Sequence, residues 1–267
     1  MSSLPRLLII AGSDSGGGAG IQADIKTASA FGVYAMTAIT AVTVQNTLGV
    51  SGWHPVPPET VRGQIEACLS DIGADAIKTG MLGDAAMIET VAASLRDHAA
   101  GIPLVLDPVM VAKGGAKLLA DDAVNAIRTK LLPLATLVTP NLPECEALIG
   151  FAPGSDAEAR EAGRKFHALG ARHVLFKGGH ASGSVVRDIL ADGETGALIV
   201  LEASRIETRH THGTGCTLAS AIASGLAQKR PLEEAVRRAH TYVQEAIRTA
   251  PGLGQGHGPL NHFVKPQ

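Results

Sequence analysis

The segment Thr211-His212-Gly213-Thr214-Gly215-Cys216-Thr217 runs directly into the small-residue apolar stretch Leu218–Gly225. Two glycines let the backbone turn sharply and approach a ligand, and the first amides of a following helix lack intrahelical acceptors, so Gly213, Thr214, Gly215 and Cys216 can face a negative charge. Cys216 would sit at the positive end of that helix, where the dipole can shift a thiol toward thiolate and make it a candidate base or nucleophile. The plainer reading is a helix cap, with Thr214 or Thr217 accepting from helix amides. A second loop, Gly12-Ser13-Asp14-Ser15-Gly16-Gly17-Gly18-Ala19-Gly20, follows a strand-like run and precedes a helical stretch carrying Asp24 and Lys26. Its five glycines in nine residues suit close backbone approach to a substrate or phosphate. Neither loop completes a Walker A or G-x-G-x-x-G pattern, so a dinucleotide site is a weak reading.

Acidic and basic groups recur where further strand-like runs end. Asp107 precedes Pro108, Thr139 and Asn141 lead to Glu144, and Lys177 opens Lys177-Gly178-Gly179-His180. Asp107, Asn141 and Glu144 are oxygen donors of the kind Mg²⁺ prefers, and Lys177 could contact phosphate as a compact point charge. Singly, Asp107 could be a turn residue, Glu144 a helix opener and Lys177 a solvated side chain. Together they suggest a metal–nucleotide site. A zinc reading of His210, His212 and Cys216 lacks the paired spacing of structural zinc sites.

Positioning these groups falls to alternating strands and helices. Strand-like runs occupy Leu7–Ala11, Ala38–Thr43, Ala76–Thr79, Leu104–Leu106, Thr136–Thr139 and Val174–Lys177. Helical spacing links Val61, Ile65, Leu69 and Ile72, and extends over Asp84–Ala99, Asp121–Leu132, Ala157–Leu169 and Leu232–Thr249. Val185–Thr208 reads as a hairpin added to the sheet. The pattern predicts an α/β fold with a mainly parallel central sheet and helices on both faces, in a single domain over residues 1–267. Ligands of such sheets gather beyond the carboxyl ends of the strands.

Composition narrows the partners. The 267 residues are 45% hydrophobic and only 3% aromatic, with a formal net charge of −2. Scarce aromatics and the lack of a basic run argue against nucleic acid, and no apolar run approaches a membrane span. The N-terminus enters a strand-like run at once, without a signal-peptide pattern, which predicts a cytoplasmic protein. Three widely spaced cysteines do not suggest a disulfide framework.

Seven ordered motifs carry a family resemblance: Ala11–Asp24, Ala41-Val-Thr-Val-Gln-Asn-Thr47, Lys78-Thr-Gly-Met-Leu82, Asp107-Pro-Val-Met-Val-Ala-Lys113, Thr139-Pro-Asn-Leu-Pro-Glu144, Lys177-Gly-Gly-His180 and Thr211–Thr217. The chain closely resembles the hydroxymethylpyrimidine/phosphomethylpyrimidine kinases of thiamine biosynthesis, within the ribokinase-like superfamily. The resemblance implies ATP-dependent phosphorylation of 4-amino-5-hydroxymethyl-2-methylpyrimidine, and then of its monophosphate, in one pocket with Mg²⁺. It places Asp24, Val44, Gln45, Gly80 and Met81 at the pyrimidine site, and Lys113, Thr139, Asn141, Lys177 and Thr208 at the nucleotide. It assigns Asp107 and Glu144 to the metal, and the Gly213–Cys216 loop and Lys177 to phosphoryl transfer.

Many superfamily members carry a base aspartate where this chain has Cys216; a cysteine matches this family and leaves open whether the thiol is a base or positions substrate. A flap at Met110–Lys117 is implied, although Lys113-Gly-Gly-Ala-Lys117 departs from the polar and acidic residues of relatives. His210 stands where asparagine is common and receives no role. A homodimer is also implied by the resemblance. The nearest alternative is a pyridoxal or pyridoxamine kinase; a noncatalytic nucleotide or pyrimidine sensor would not need the intact transfer residues.

Overall fold

The computed structural model describes residues 4–110, 121–180 and 183–267. Among them nine strands form one sheet: β1 (Arg6–Ser13), β2 (Tyr34–Asn46), β3 (Gly49–Pro55), β4 (Ala76–Thr79), β5 (Leu104–Leu106), β6 (Leu137–Val138), β7 (His173–Phe176), β8 (Val185–Asp192) and β9 (Leu198–Ser204). The spatial order is β3-β2-β1-β4-β5-β6-β7-β8-β9. The six strands from β2 to β7 in that order pair in parallel, and β3, β8 and β9 add antiparallel edges.

Helices are α1 (Gly20–Ala30), α2 (Pro58–Asp71), α3 (Ala85–His98), α4 (Asp121–Ala126), α5 (Leu142–Ile149), α6 (Asp156–Ala168), α7 (Thr214–Ala227) and α8 (Leu232–Arg248). The two-residue period of β1 divides its apolar side chains between two cores. Leu8 and Ile10 pack with α2 to α6, whereas Leu7, Ile9 and Ala11 pack with α1, α7 and α8. Burial on both faces explains why these parallel strands read as continuous apolar runs.

α7 is the central helix of the second layer, with Leu218 through Gly225 all buried. Its small residues permit close packing, since a β-carbon on Gly225 would lie 2.7 Å from Ala235 Cβ of α8. α8 supplies an apolar stripe of Ala235, Val236, Ala239, Tyr242, Val243 and Ala246 at helical spacing. Burying one such large side chain contributes about 1.5–3 kcal/mol.

Differences from the sequence expectations are local. β2 extends well beyond Ala38–Thr43, and β3 was not visible because Gly49, Gly52 and Pro55 have poor strand propensity. The predicted helix Asp121–Leu132 keeps α geometry only to Ala126; a π turn at Ile127–Leu131 and a 3₁₀ turn at Leu132–Leu134, around Pro133, complete the segment. Thr136–Thr139 contributes only the two residues of β6. No helix among the described residues is long and apolar enough to cross a membrane.

Candidate active site

The loops beyond the carboxyl ends of β1, β4, β5, β6 and β7 surround a cavity of about 1200 Å³. One end is walled by Ser13, Asp14, Gln45, Trp53 and Met81, the other by Val186, Thr208, His240, Val243 and Ile247. Between them lie Asp107, Glu144, Lys177 and the start of α7.

That centre is a charged cluster. Lys177 Nζ lies 3.0 Å from Asp107 Oδ1 and 3.8 Å from Glu144 Oε2. Asn141 caps α5, its side chain accepting from Glu144 N–H at 2.9 Å, while Glu144 Oε2 accepts from Asn141 N–H at 2.8 Å. This reciprocal capping box holds Glu144 at the cavity wall. Burial and the nearby Asp107 carboxylate push the Glu144 carboxyl up to about 7, against the opposing field of Lys177. Burial alone would neutralise Lys177, but Asp107 and Glu144 hold its ammonium charged above the usual lysine range. Thr139, fully buried behind this cluster, donates to Asp107 Oδ1 at 3.2 Å.

At the head of α7, Gly213 adopts a left-handed conformation with φ 83° as the N-cap. No side chain caps this helix terminus, so the simple cap reading of Thr214 and Thr217 does not hold. Thr214 Oγ1 donates instead to Thr211 O at 2.8 Å, and Thr217 Oγ1 meets His262 Nε2 at 3.0 Å. A β-carbon on Gly215 would come 3.3 Å from Lys177 Nζ and 3.7 Å from Asp107 Oδ2, so the loop backbone directly faces the charged cluster. The Cys216 thiol does not follow the helix-dipole expectation. Burial pushes it up to about 11, outweighing the favourable field of Lys78 and a bond from Gly20 N–H, so the free site holds a protonated thiol at neutral pH.

Gln45, Met81, Asn141 and Thr208 line the cavity as the sequence suggested, but four other described residues, Asp24, Val44, Gly80 and the buried Thr139, do not. Asp24 is completely buried beneath the floor, where Lys78 Nζ donates to Oδ2 at 2.8 Å and Ser220 Oγ to Oδ1 at 2.6 Å. A charge in that position needs partners, and α7 and β4 supply them before any ligand can. Val44 is on the opposite face of β2 from Thr43 and Gln45 and is 57% exposed, because strand side chains alternate. Gly80 stands behind the wall, where a β-carbon would meet Lys78 Nζ at 2.9 Å. Lys113 and flap residues 111–117 lie outside the described residues.

The family model described as phosphomethylpyrimidine kinase matches residues 14–261. This chain belongs to the phosphomethylpyrimidine kinase family. It is 49% identical to a Haemophilus influenzae hydroxymethylpyrimidine/phosphomethylpyrimidine kinase, covering 99% of this chain and 98% of that one. It is 52% identical to a Geobacter sulfurreducens thiamine biosynthesis bifunctional protein over 97% of this chain, but spans only 52% of that longer protein. A Bacillus subtilis pyridoxal kinase in complex with ADP superposes with a TM-score of 0.88 at 39% identity, covering 97% of this chain and 98% of that chain. The fold is therefore ribokinase-like.

Within this phosphomethylpyrimidine kinase family site, the sequence reading overlooked two groups. Lys78 is fully buried yet borders the cavity floor, a placement invisible until β4 and α1 are packed together. His212, considered only as a zinc ligand, is 7% exposed and contacts Asp14 at 2.9 Å. Among the described residues no group of three His, Cys, Asp or Glu side chains could hold a metal ion, so the zinc reading finds no site. The Thr211–Thr217 spacing alone carried a signal for His212, since its neighbours flank the anion-facing loop.

Proposed function

We propose that this protein transfers the γ-phosphoryl group of ATP to 4-amino-5-hydroxymethyl-2-methylpyrimidine and then to the resulting monophosphate, for thiamine biosynthesis. One observation carries the reading: a single cavity brings the anion-facing Gly213–Cys216 backbone against Lys177, Asp107 and Glu144, with the Gln45 carboxamide at one end. A carboxamide can pair with a ring nitrogen and an adjacent exocyclic amine together, which suits an aminopyrimidine.

Phosphoryl transfer needs alignment and charge neutralisation more than covalent help. The loop amides stabilise charge developing on the transferring group, and Lys177 contributes a fixed cation. Asp107 and Glu144 fit Mg²⁺ bound through one or two carboxylates, water and substrate phosphates, rather than an all-protein cage. Bound there, Mg²⁺ supplies Lewis-acid neutralisation of phosphate oxygens. Asn141 and Thr208 serve the nucleotide, as do Lys113 and Thr139 in the family assignment. Cys216, protonated in the free site, acts chiefly by positioning the acceptor, and the monophosphate needs little deprotonation.

The reading extends to a single-domain cytoplasmic enzyme that pairs as a homodimer through the exposed Val42, Val44 and Leu48 of the β2–β3 region. Light scattering at micromolar protein tests the pairing. Incubation with Mg-ATP and, separately, the hydroxymethylpyrimidine, its monophosphate and pyridoxal, with products identified by mass, tests the activity. Pyrimidine diphosphate is the expected product; its absence would sink the reading, and phosphorylation of pyridoxal alone would favour the pyridoxal kinase alternative that the B. subtilis structure represents.

A further inference from the structure

His212 joins three segments that reach the cavity from different parts of the chain. Its Nε2 lies 2.9 Å from Asp14 Oδ2 in the first glycine loop and 3.3 Å from the end of the Gln45 carboxamide on β2. His212 itself immediately precedes Gly213. The contact is tightly built: a β-carbon on Gly18 would sit 2.6 Å from His212 Cδ2, so only glycine admits the ring. His212 N–H also donates to Gly258 O at 3.1 Å, fixing the backbone from the other side.

Proton accounting determines what this contact does. Asp14 accepts from the amides of Gly16 at 2.8 Å, Gly18 at 3.0 Å and Ala19 at 2.8 Å. Although burial opposes the charge, the bonds from His212, Ala19 and Gly16 hold this carboxyl below its usual range. An ionised Asp14 accepts only, so His212 Nε2 must carry the proton and donate. With the Gln45 Nε2 facing it, two donors would oppose each other.

The other end of the carboxamide is 3.3 Å from Thr43 Oγ1, whose proton is given to Ser13 O at 2.8 Å. Thr43 can therefore accept there. A half-turn of the carboxamide, exchanging oxygen and nitrogen at the same two positions, removes that opposition: Oε1 then faces the single His212 Nε2 proton as the longer arm, 3.3 Å, of a bond shared with Asp14, and Nε2 donates to Thr43. The amide order at the cavity wall is then dictated by its neighbours rather than left free.

We infer that His212 is a specificity-determining positioning residue, which, anchored by Asp14, orients the Gln45 carboxamide to select a heterocycle with a ring nitrogen beside an exocyclic amine. The remaining Oε1 lone pair accepts from the amine, and the remaining Nε2 proton goes to the ring nitrogen. A ring lacking the amine leaves Oε1 unpaired in the wall, which is penalised. The inference rests on the aminopyrimidine reading above, but it concerns binding alone and can be tested without turnover.

The test measures dissociation constants by calorimetry, without ATP, for hydroxymethylpyrimidine and for its analogue lacking the 4-amino group. The wild type should prefer the amino compound by about tenfold or more. His212→Leu should bring that ratio close to one, with most of the loss in affinity for the amino compound, and His212→Gln, which keeps an N–H donor on a side chain of similar length, should restore it. Thr43→Val leaves the Asp14–His212 contact intact and should lower the same ratio, which keeps the test decisive if His212→Leu does not fold. A wild-type ratio near one, an unchanged ratio in Thr43→Val, or equal weakening of both ligands in His212→Leu would overturn the inference. A preserved preference in a protein that yields no phosphorylated pyrimidine would instead overturn the functional reading while leaving this one standing.

Discussion

A β-carbon on Gly213 would lie 1.8 Å from the carbonyl oxygen of Gly18. The two glycine loops, almost two hundred residues apart in the chain, are thus interlocked backbone to backbone, and Gly213 also requires φ 83°. Gly213→Ala would meet both the left-handed penalty of about 1–2 kcal/mol and a collision that only loop displacement relieves. The expected outcome is a lowered Tm together with a fall in kcat of at least about a hundredfold, the scale of losing a preorganised anion donor. A scanning calorimetry trace and a coupled ADP assay check the two effects.

Lys177 stands within ion-pair reach of both Asp107 and Glu144. Lys177→Met should reduce kcat by about 10²–10³-fold, since a preorganised cation at the transfer point has no mobile replacement. Steady-state assays at saturating ATP would show this, and a loss under threefold would remove Lys177 from the transfer step.

Glu144 gives a signed pH dependence. Its native carboxyl is raised from 4.5 to about 7, so the unfolded chain ionises first as pH rises. Below the unfolded value both states are protonated and there is no effect; between there and about 7 the native state loses relative stability, by roughly 3 kcal/mol at full extent. Glu144→Gln removes this group's titration. Urea unfolding from pH 5 to 7.5 should show the difference between the two proteins moving in favour of Glu144→Gln as pH rises, and a constant difference would contradict the raised carboxyl.

Cys216, pushed up to about 11, should be alkylated slowly by iodoacetamide at pH 7, with a rate still rising at pH 9.5. Peptide mapping follows the site directly. Cys216→Ser, which keeps a small polar group in place, should slow both phosphorylations modestly and to a similar extent; a far larger loss for the hydroxymethyl compound than for the monophosphate would restore the thiol to a role as base.

Asp24 and Lys78 form a fully buried pair. Asp24→Asn leaves the ammonium without its counter-charge and should cost about 3–5 kcal/mol, whereas the double variant Asp24→Leu/Lys78→Met should recover much of that loss. Denaturant midpoints of the three proteins measure the coupling.

Sequence alone determined the alternating α/β architecture, because β1 and its neighbours are buried on both faces and therefore read as unbroken apolar runs. It also located Asp107, Glu144, Lys177 and the Gly213–Cys216 loop, since a parallel sheet places the ends of its strands along one edge and chemically loaded residues there must converge. Direction and depth were decided only by tertiary packing. Asp24 and Lys78 neutralise each other under the floor because α1, β4 and α7 exclude water there, and Val44 turns outward because the strand alternates about Gln45. The protonated state of Cys216 likewise follows from burial that no local spacing reports. His212 meets Asp14 across 198 residues of sequence separation, a contact that depends on two glycine loops closing face to face.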